Sequence, residues 1–252
     1  MNRRSIYALD FDGVICDSAI ETGISGWKAA TQIWPDMPAE MPDHTLLDQF
    51  RCVRPLLETG YEAILIIRLL YLGESVMAIM DDYAQKMHAS LADTKLDVKS
   101  LKQLFGTTRD QWIEADIDDW LQMNPLFPGI AEKLQHLDKQ GPWYIVTTKQ
   151  ERFVKKILAT HHLNLSDERI FGLERTMNKA DMLINIMTKH PDDQLILVED
   201  RLPTLIDVAN NAKLAAVKLF LATWGYNTDS EKQALGAGPI KLLALEDFLV
   251  CR

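Results

Sequence analysis

The spacing of apolar residues changes along this chain, and the changes divide it. Residues 5–9, Ser-Ile-Tyr-Ala-Leu, form a short run with β-branched and aromatic character, which predicts a strand buried on both faces. From residue 18 to residue 124 the spacing is helical. The pattern predicts a helix over 25–33 and another across 46–72 on Leu56, Leu57, Ile64, Leu65, Ile67 and Leu70. Further helices are predicted over 76–91, 98–104 and 109–122, the last on Trp112, Ile113, Ile117, Trp120 and Leu121. Pro35, Pro38 and Pro42 interrupt the block, Asp43 is a helix-start signal, and Gly73-Glu74-Ser75 punctuates it again. No convincing strand pattern occurs within it.

After Asn124-Pro125-Leu126-Phe127-Pro128-Gly129 the period begins to alternate. Helices are predicted over 130–137, 150–160, 179–189 and 205–210, and strands over 143–146, 169–171, 195–198 and 214–219. Strand and helix alternating at this length predict an α/β fold, a Rossmann-like doubly wound parallel sheet. The helical block then reads as an all-helical inserted domain. The expected division is 1–17 with 125–252 for the α/β core and 18–124 for the insertion.

Composition narrows the classes. An apolar share of 47% and a charged share of 25% are those of an ordinary globular chain, long enough for one large core or two small ones. The net charge of −9 argues against a nucleic-acid surface. No apolar run is long enough to span a membrane, and Met1-Asn2-Arg3-Arg4 leads straight into the first strand, without room for a signal peptide. Cys16, Cys52 and Cys251 are odd in number and widely spaced, as free thiols in a reducing cytoplasm would be.

Three predicted strands end in groups that complement one another. Asp10 and Asp12 close the first, with Gly13 turning the chain; Thr147 and Lys149 follow the second; Glu199 and Asp200 follow the 195–198 strand. A parallel sheet gathers such ends at its carboxyl edge, where ligands bind in open α/β sheets. Acids at buried strand ends require a cation, a lysine or a substrate nearby. The residue types suit phosphoryl transfer. A carboxylate can attack phosphorus, a second acid can protonate the leaving oxygen and later activate water, and hydroxyl, amide and ammonium groups can hold the phosphoryl oxygens. Hard carboxylate oxygens suit Mg2+. The competing readings are a solvated turn for Asp10 and Asp12, and a helix cap ahead of Pro203 for Asp200.

Elsewhere the candidates are weaker. Arg51, Arg54 and Glu58 fall at helical spacing near Tyr61, as a surface ion pair or as a face that recognises a leaving group. The apolar stripe over 64–72, with Trp27 and Trp34, reads as bundle core or as a dimer face. His161-His162 lacks metal-ligand partners at the right spacing and reads as surface.

Asp10-Phe11-Asp12-Gly13-Val14 after an apolar strand resembles the first motif of the haloacid dehalogenase superfamily of phosphatases. Ile145-Val146-Thr147-Thr148-Lys149 resembles its second motif, Lys179 the lysine of its third, and Leu197-Val198-Glu199-Asp200 its fourth. Phe127-Pro128-Gly129 and Thr223-Trp224-Gly225-Tyr226 are similar to the phosphoglycolate-phosphatase and β-phosphoglucomutase branch. The resemblance implies that Asp10 is the nucleophile and Asp12 the general acid and base. Thr147, the amide of Thr148, and Lys179 would bind phosphate. It implies Mg2+ held by Asp10, the backbone carbonyl of Asp12, and Asp200, and a mobile helical cap in which Arg51 and Arg54 are candidate substrate contacts. Two departures stand out. Thr204 replaces an acid common in relatives, which makes Glu199 a candidate substitute ligand, and Ala180 replaces a proline, which keeps Lys149 and Lys189 as rivals of Lys179.

The expectation is therefore a cytoplasmic Mg2+-dependent phosphatase of a small phosphorylated metabolite, monomer or homodimer, binding neither nucleic acid nor membrane. The alternatives are a sugar phosphomutase and a phosphate-binding protein without turnover.

Overall fold

The structure is a computed structural model that describes residues 3–250, so the expectation for Cys251 lies outside the described residues. The chain divides into two compact units, one from its start to Asp17 and from Pro125 onward, the other from Ser18 to Asn124.

The first unit is built on six parallel strands: β1 (Ser5–Leu9), β2 (Tyr144–Val146), β3 (Ile170–Phe171), β4 (Gln194–Glu199), β5 (Lys218–Ala222) and β6 (Ile240–Leu243). Their order in the sheet is β3-β2-β1-β4-β5-β6. The chain winds outward from β1 through β2 to β3, then returns to lay β4 on the other side of β1. Strand order therefore reverses between β1 and β4, where a doubly wound sheet opens a crevice at its carboxyl edge. Register fixes which residues meet there, since Leu9 lies beside Val198 on one side and Ile145 on the other.

Alternation along β1 explains the layers. Ile6 and Ala8 join a core with the helices Lys179–Lys189 and Leu202–Ala209, through Met182, Leu183, Ile186, Leu205 and Val208. Tyr7 points the opposite way. Its ring meets Phe248 edge-on at 5.9 Å, and Lys133 of the helix Ile130–Gln140 covers both rings. Both faces of the sheet are thus covered, and β1 carries no solvent-facing stripe, as the apolar run 5–9 requires.

The second unit is helical, with no strand among its described residues. Its core gathers Trp27, Trp34, Phe50, Ile64, Leu65, Ile67, Leu101 and Phe105, so the 64–72 stripe is interior up to Leu70, whereas Leu72 is exposed. The predicted helix across 46–72 is broken into His44–Val53, a 3-10 turn Arg54–Leu56, and Glu62–Tyr71. Pro55 has no N–H to continue the ladder. Arg51, Arg54 and Glu58 consequently do not share one helical face. Asp43 does cap the first of these helices, accepting from the Leu46 N–H at 2.8 Å. The expected helix over 76–91 is two, split at Asp82, while 98–104 and 109–115 join into one helix, Val98–Ala115. Glu21 is fully buried and fully satisfied: Arg109 grips it through Nε and Nη2 at 2.6 and 2.9 Å, and Ser25 and Trp120 donate to it at 2.8 and 3.0 Å. No described helix is long and apolar enough to cross a membrane.

Candidate active site

Asp10 extends the hydrogen bonding of β1 by one residue, its N–H donating to the Val198 carbonyl at 3.0 Å. The chain then folds into a tight loop. Gly13 adopts φ +86°, and the N–H groups of Ile15 and Cys16 both donate to the Phe11 carbonyl, at 2.9 and 2.8 Å. Asp10 and Asp12 are left at the β1 tip, Thr147 and Lys149 follow β2, and Glu199 and Asp200 close β4. The sheet order brings these tips together beside the crevice between β1 and β4.

Two lysines divide the acids. Lys179, the first residue of its helix, reaches Asp10 Oδ1 at 2.8 Å and also contacts Glu199 Oε2. Asn178 caps that helix by accepting from the Asp181 N–H at 2.9 Å, which fixes its first turn with Ala180, not a proline, after the lysine. Lys149 takes the other acid, with Nζ 2.9 Å from Asp12 Oδ1. Lys189 stands at the far end of the Lys179 helix, about 15 Å away at 1.5 Å per residue, over the Phe171 ring. Of the three rival lysines, only Lys179 contacts Asp10 among the described residues.

Asp10, Glu199 and Asp200 are all buried, and one oxygen of each lies within 4.8 Å of the others. Burial pushes the Asp10 carboxyl up to about 7; Lys179 opposes that rise, while Glu199 and Asp12 add to it. Burial also works against charge on Lys179, but Asp10 and Glu199 outweigh it and hold the ammonium's pKa above its ordinary value. Two of these acids share one ammonium and the third, Asp200, lies beside them, so the cluster holds more acids than cations. Such a set of hard oxygens fits a divalent cation such as Mg2+. Glu199 is the least available of the three, since Oε2 meets Lys179 and Oε1 accepts from the Arg201 N–H at 3.0 Å. Asp10 and Asp200 are the side chains that would be better placed to hold such a cation, while Glu199 keeps to Lys179.

Asp200 does not cap the helix that follows; Arg201 holds that position. The loop after β5 grips it instead. The Tyr226 N–H donates to Asp200 Oδ2 at 2.8 Å, and Asn227 Nδ2 donates to the Asp200 carbonyl at 3.0 Å and to the Ala222 carbonyl at 2.8 Å. Tyr226 also donates through its hydroxyl to Asp17 at 3.0 Å. Residues 226–227 thus hold the site together, a role that periodicity could not reveal, although the Gly225 beside them is a usable signal. A Cβ on Gly225 would lie 2.3 Å from both Asp200 Cβ and the Gly13 carbonyl oxygen, so only glycine lets the loop approach.

Thr147 is buried, and its Oγ1 accepts from the Lys149 N–H at 3.1 Å; Thr148 next to it is exposed. Arg51 and Arg54 lie in the helical unit, both half-buried, with the Arg54 guanidinium donating to the Leu57 carbonyl at 3.4 Å. Thr204 sits in the first turn of the helix Leu202–Ala209. Cys16 is buried and Cys52 exposed, and neither is in a disulfide among the described residues. His161 is half-buried and His162 exposed.

Gly13 offers a direct test of the cation site. A Cβ there would fall 2.0 Å from Asp200 Oδ2 and 2.9 Å from the Tyr226 ring, on a backbone that already disfavours a side chain. Gly13→Ala is expected to cost about 1–3 kcal/mol and, if the cluster takes Mg2+, to abolish the rise in melting temperature expected from that cation in the parent protein. Thermal melts with and without Mg2+ check this; an undiminished Mg2+ effect in the variant would remove Asp200 from the cation site.

No family model matches the chain, and no curated protein matches it. Solved structures do. A predicted phosphoglycolate phosphatase from Haemophilus somnus 129PT superposes with a TM-score of 0.61 at 15% identity, covering 99% of this chain and 96% of its own. A haloacid dehalogenase-like family hydrolase from Streptococcus pneumoniae gives 0.55 at 18% identity, over 95% and 93% of the two chains. A predicted phosphatase from Clostridium acetobutylicum gives 0.54 at 15% identity, over 99% and 97%.

Proposed function

We propose that this chain, whose fold is that of the haloacid dehalogenase-like hydrolases, is a phosphatase of a small phosphorylated metabolite, working with Mg2+ through an aspartyl-phosphate. The observation that carries the reading is the pairing at the strand tips: Asp10 held by Lys179 at 2.8 Å, with Asp12 two residues on held separately by Lys149 at 2.9 Å. Two carboxylates in two different environments can take two different roles.

Asp10 attacks phosphorus, forming an acyl phosphate and breaking the bond to the leaving oxygen. Asp12 gives that oxygen a proton, so the alcohol departs neutral. Asp12 then takes a proton from the water that attacks the acyl phosphate, which frees inorganic phosphate and returns Asp10 to its carboxylate. The Thr147 hydroxyl and the Thr148 amide donate to phosphoryl oxygens, and Lys179 balances the charge that gathers on them. Mg2+, held by the side chains of Asp10 and Asp200 and the carbonyl of Asp12, would supply further neutralisation of nucleophile and phosphate when bound. The helical unit is assigned the recognition of the leaving group, with Arg51 and Arg54 as its cationic candidates.

A phosphate-release screen across small phosphomonoesters, phosphoglycolate and sugar phosphates among them, tests this directly. Release is expected with Mg2+ and is expected to fall to background when a chelator removes it. Conversion of a sugar 1-phosphate to its isomer without phosphate release would replace the phosphatase reading by a mutase. Tight phosphoester binding without either reaction would replace it by a binding protein.

A further inference from the structure

We propose that Lys149 is a positioning residue that holds one oxygen of the Asp12 carboxyl group, so that the other oxygen, which carries the proton, is aimed at the leaving oxygen; the proposal rests on the phosphatase reading above. The scheme in that reading uses Lys179 for phosphate and leaves Lys149 without a task. Yet the Lys149 side chain is only 4% exposed, against 23% for Asp12, so it is no solvated lysine. Its root is held at both backbone groups, the N–H by Thr147 Oγ1 at 3.1 Å and the carbonyl by the Leu173 N–H at 3.1 Å. Its ammonium lies 5.9 Å from the ring centroid of Phe11, the fully buried residue between the two aspartates. The arm that ends 2.9 Å from Asp12 Oδ1 is therefore anchored before it gets there.

The consequence is geometric. An aspartate side chain has two torsions, and fixing one carboxylate oxygen fixes where the other can be. General-acid transfer needs that other oxygen within hydrogen-bond reach of the leaving atom. A misplacement of about 1 Å in such an arrangement can cost about 10²-fold in rate. Lys179 cannot supply this restraint, because its ammonium is committed to Asp10 and Glu199. The division of two lysines between two aspartates thus matches a division between holding the nucleophile and aiming the acid.

Leaving-group dependence separates positioning from plain structural support. p-Nitrophenolate departs without a proton, whereas an alkoxide requires one. kcat/KM reports the steps through departure of that group. Lys149→Met is expected to lower kcat/KM about 10²-fold on the best alkyl phosphate of the screen and less than about threefold on p-nitrophenyl phosphate. Lys149→Arg should recover most of the loss. Asp12→Asn should shift the same ratio in the same direction, and adding Lys149→Met to it should cost little more, because both changes remove one function. Should the Met variant fold poorly, Lys149→Ala, which removes the arm and its donor altogether, carries the comparison. Equal losses on the two substrates, no loss on either, or additive losses in the double variant would overturn the proposal and leave the phosphatase reading standing. Absence of phosphate release by the parent protein on every substrate would take down both.

Discussion

Replacing Asp10 by asparagine is expected to reduce phosphate release by at least about 10⁴-fold, while making the cation-free protein more resistant to heat above neutral pH. The first effect follows from the proposed chemistry. An amide carries no charge with which to attack phosphorus, and no neighbouring acid stands where Asp10 does, since Glu199 is committed to Lys179 and the Arg201 N–H. Intact-mass measurement after mixing with substrate checks it, because the parent protein should acquire a phosphoryl group and the variant should not. The second effect follows from burial. The folded protein raises the Asp10 carboxyl to about 7, mainly because burial penalises its charge. A carboxyl raised by folding releases its proton more readily in the unfolded chain. The penalty is therefore absent below about pH 4, grows as pH climbs to about 7, and is complete above that. Asparagine carries no such penalty. In chelator, the difference in melting temperature between variant and parent should open across that window in favour of the variant, and close at acid pH. A difference that did not vary with pH would contradict the charge surplus assigned to this cluster.

The same cluster shows which parts of the molecule can be read from residue order. The strand tips are legible because each is an apolar run ending in chemically unusual residues, and a parallel sheet places such ends side by side whatever the distance in sequence. The helix from Lys179 to Lys189 is legible because Asn178 caps it and its apolar spacing is regular. The pairing of Lys149 with Asp12 is not legible, since it depends on how far two side chains extend from neighbouring strands. The loop after β5 is visible only as Thr-Trp-Gly-Tyr, and its grip on Asp200 comes from a backbone amide that sequence does not distinguish from any other. Strand β5 begins at Lys218, and the apolar run ahead of it, read as strand from residue 214, is spent partly on the 3-10 turn Ala212–Leu214. Strand β6 has no counterpart among the strands that the sequence pattern predicts. It is a four-residue edge strand whose two middle residues face solvent, after a stretch rich in glycine and proline, so no period of two stands out.

Lys179→Met should produce the largest loss of stability of any single change at this site. Removing one partner of a buried ionic cluster leaves the others uncompensated, and costs about 3–5 kcal/mol. In a chain of this size that corresponds to a fall in melting temperature of roughly 6–20 °C. The cost arises because Asp10 and Glu199 both lean on this ammonium, with side-chain exposures of 10% and 1% that give them little recourse to water. Phosphate release should fall below detection, since nucleophile and incoming phosphate would then repel each other without a counter-charge. Cation binding should move the other way. With Asp10, Glu199 and Asp200 still gathered and no ammonium among them, Mg2+ becomes the one remaining neutraliser, so the rise in melting temperature it causes should exceed that in the parent protein. These two readouts discriminate between explanations. A lysine that only filled space would lower stability without strengthening the response to Mg2+. Turnover retained within about tenfold would show that phosphate is held by another cation. In that case Lys149, already beside Asp12, would be the group to which the phosphate-binding role passes.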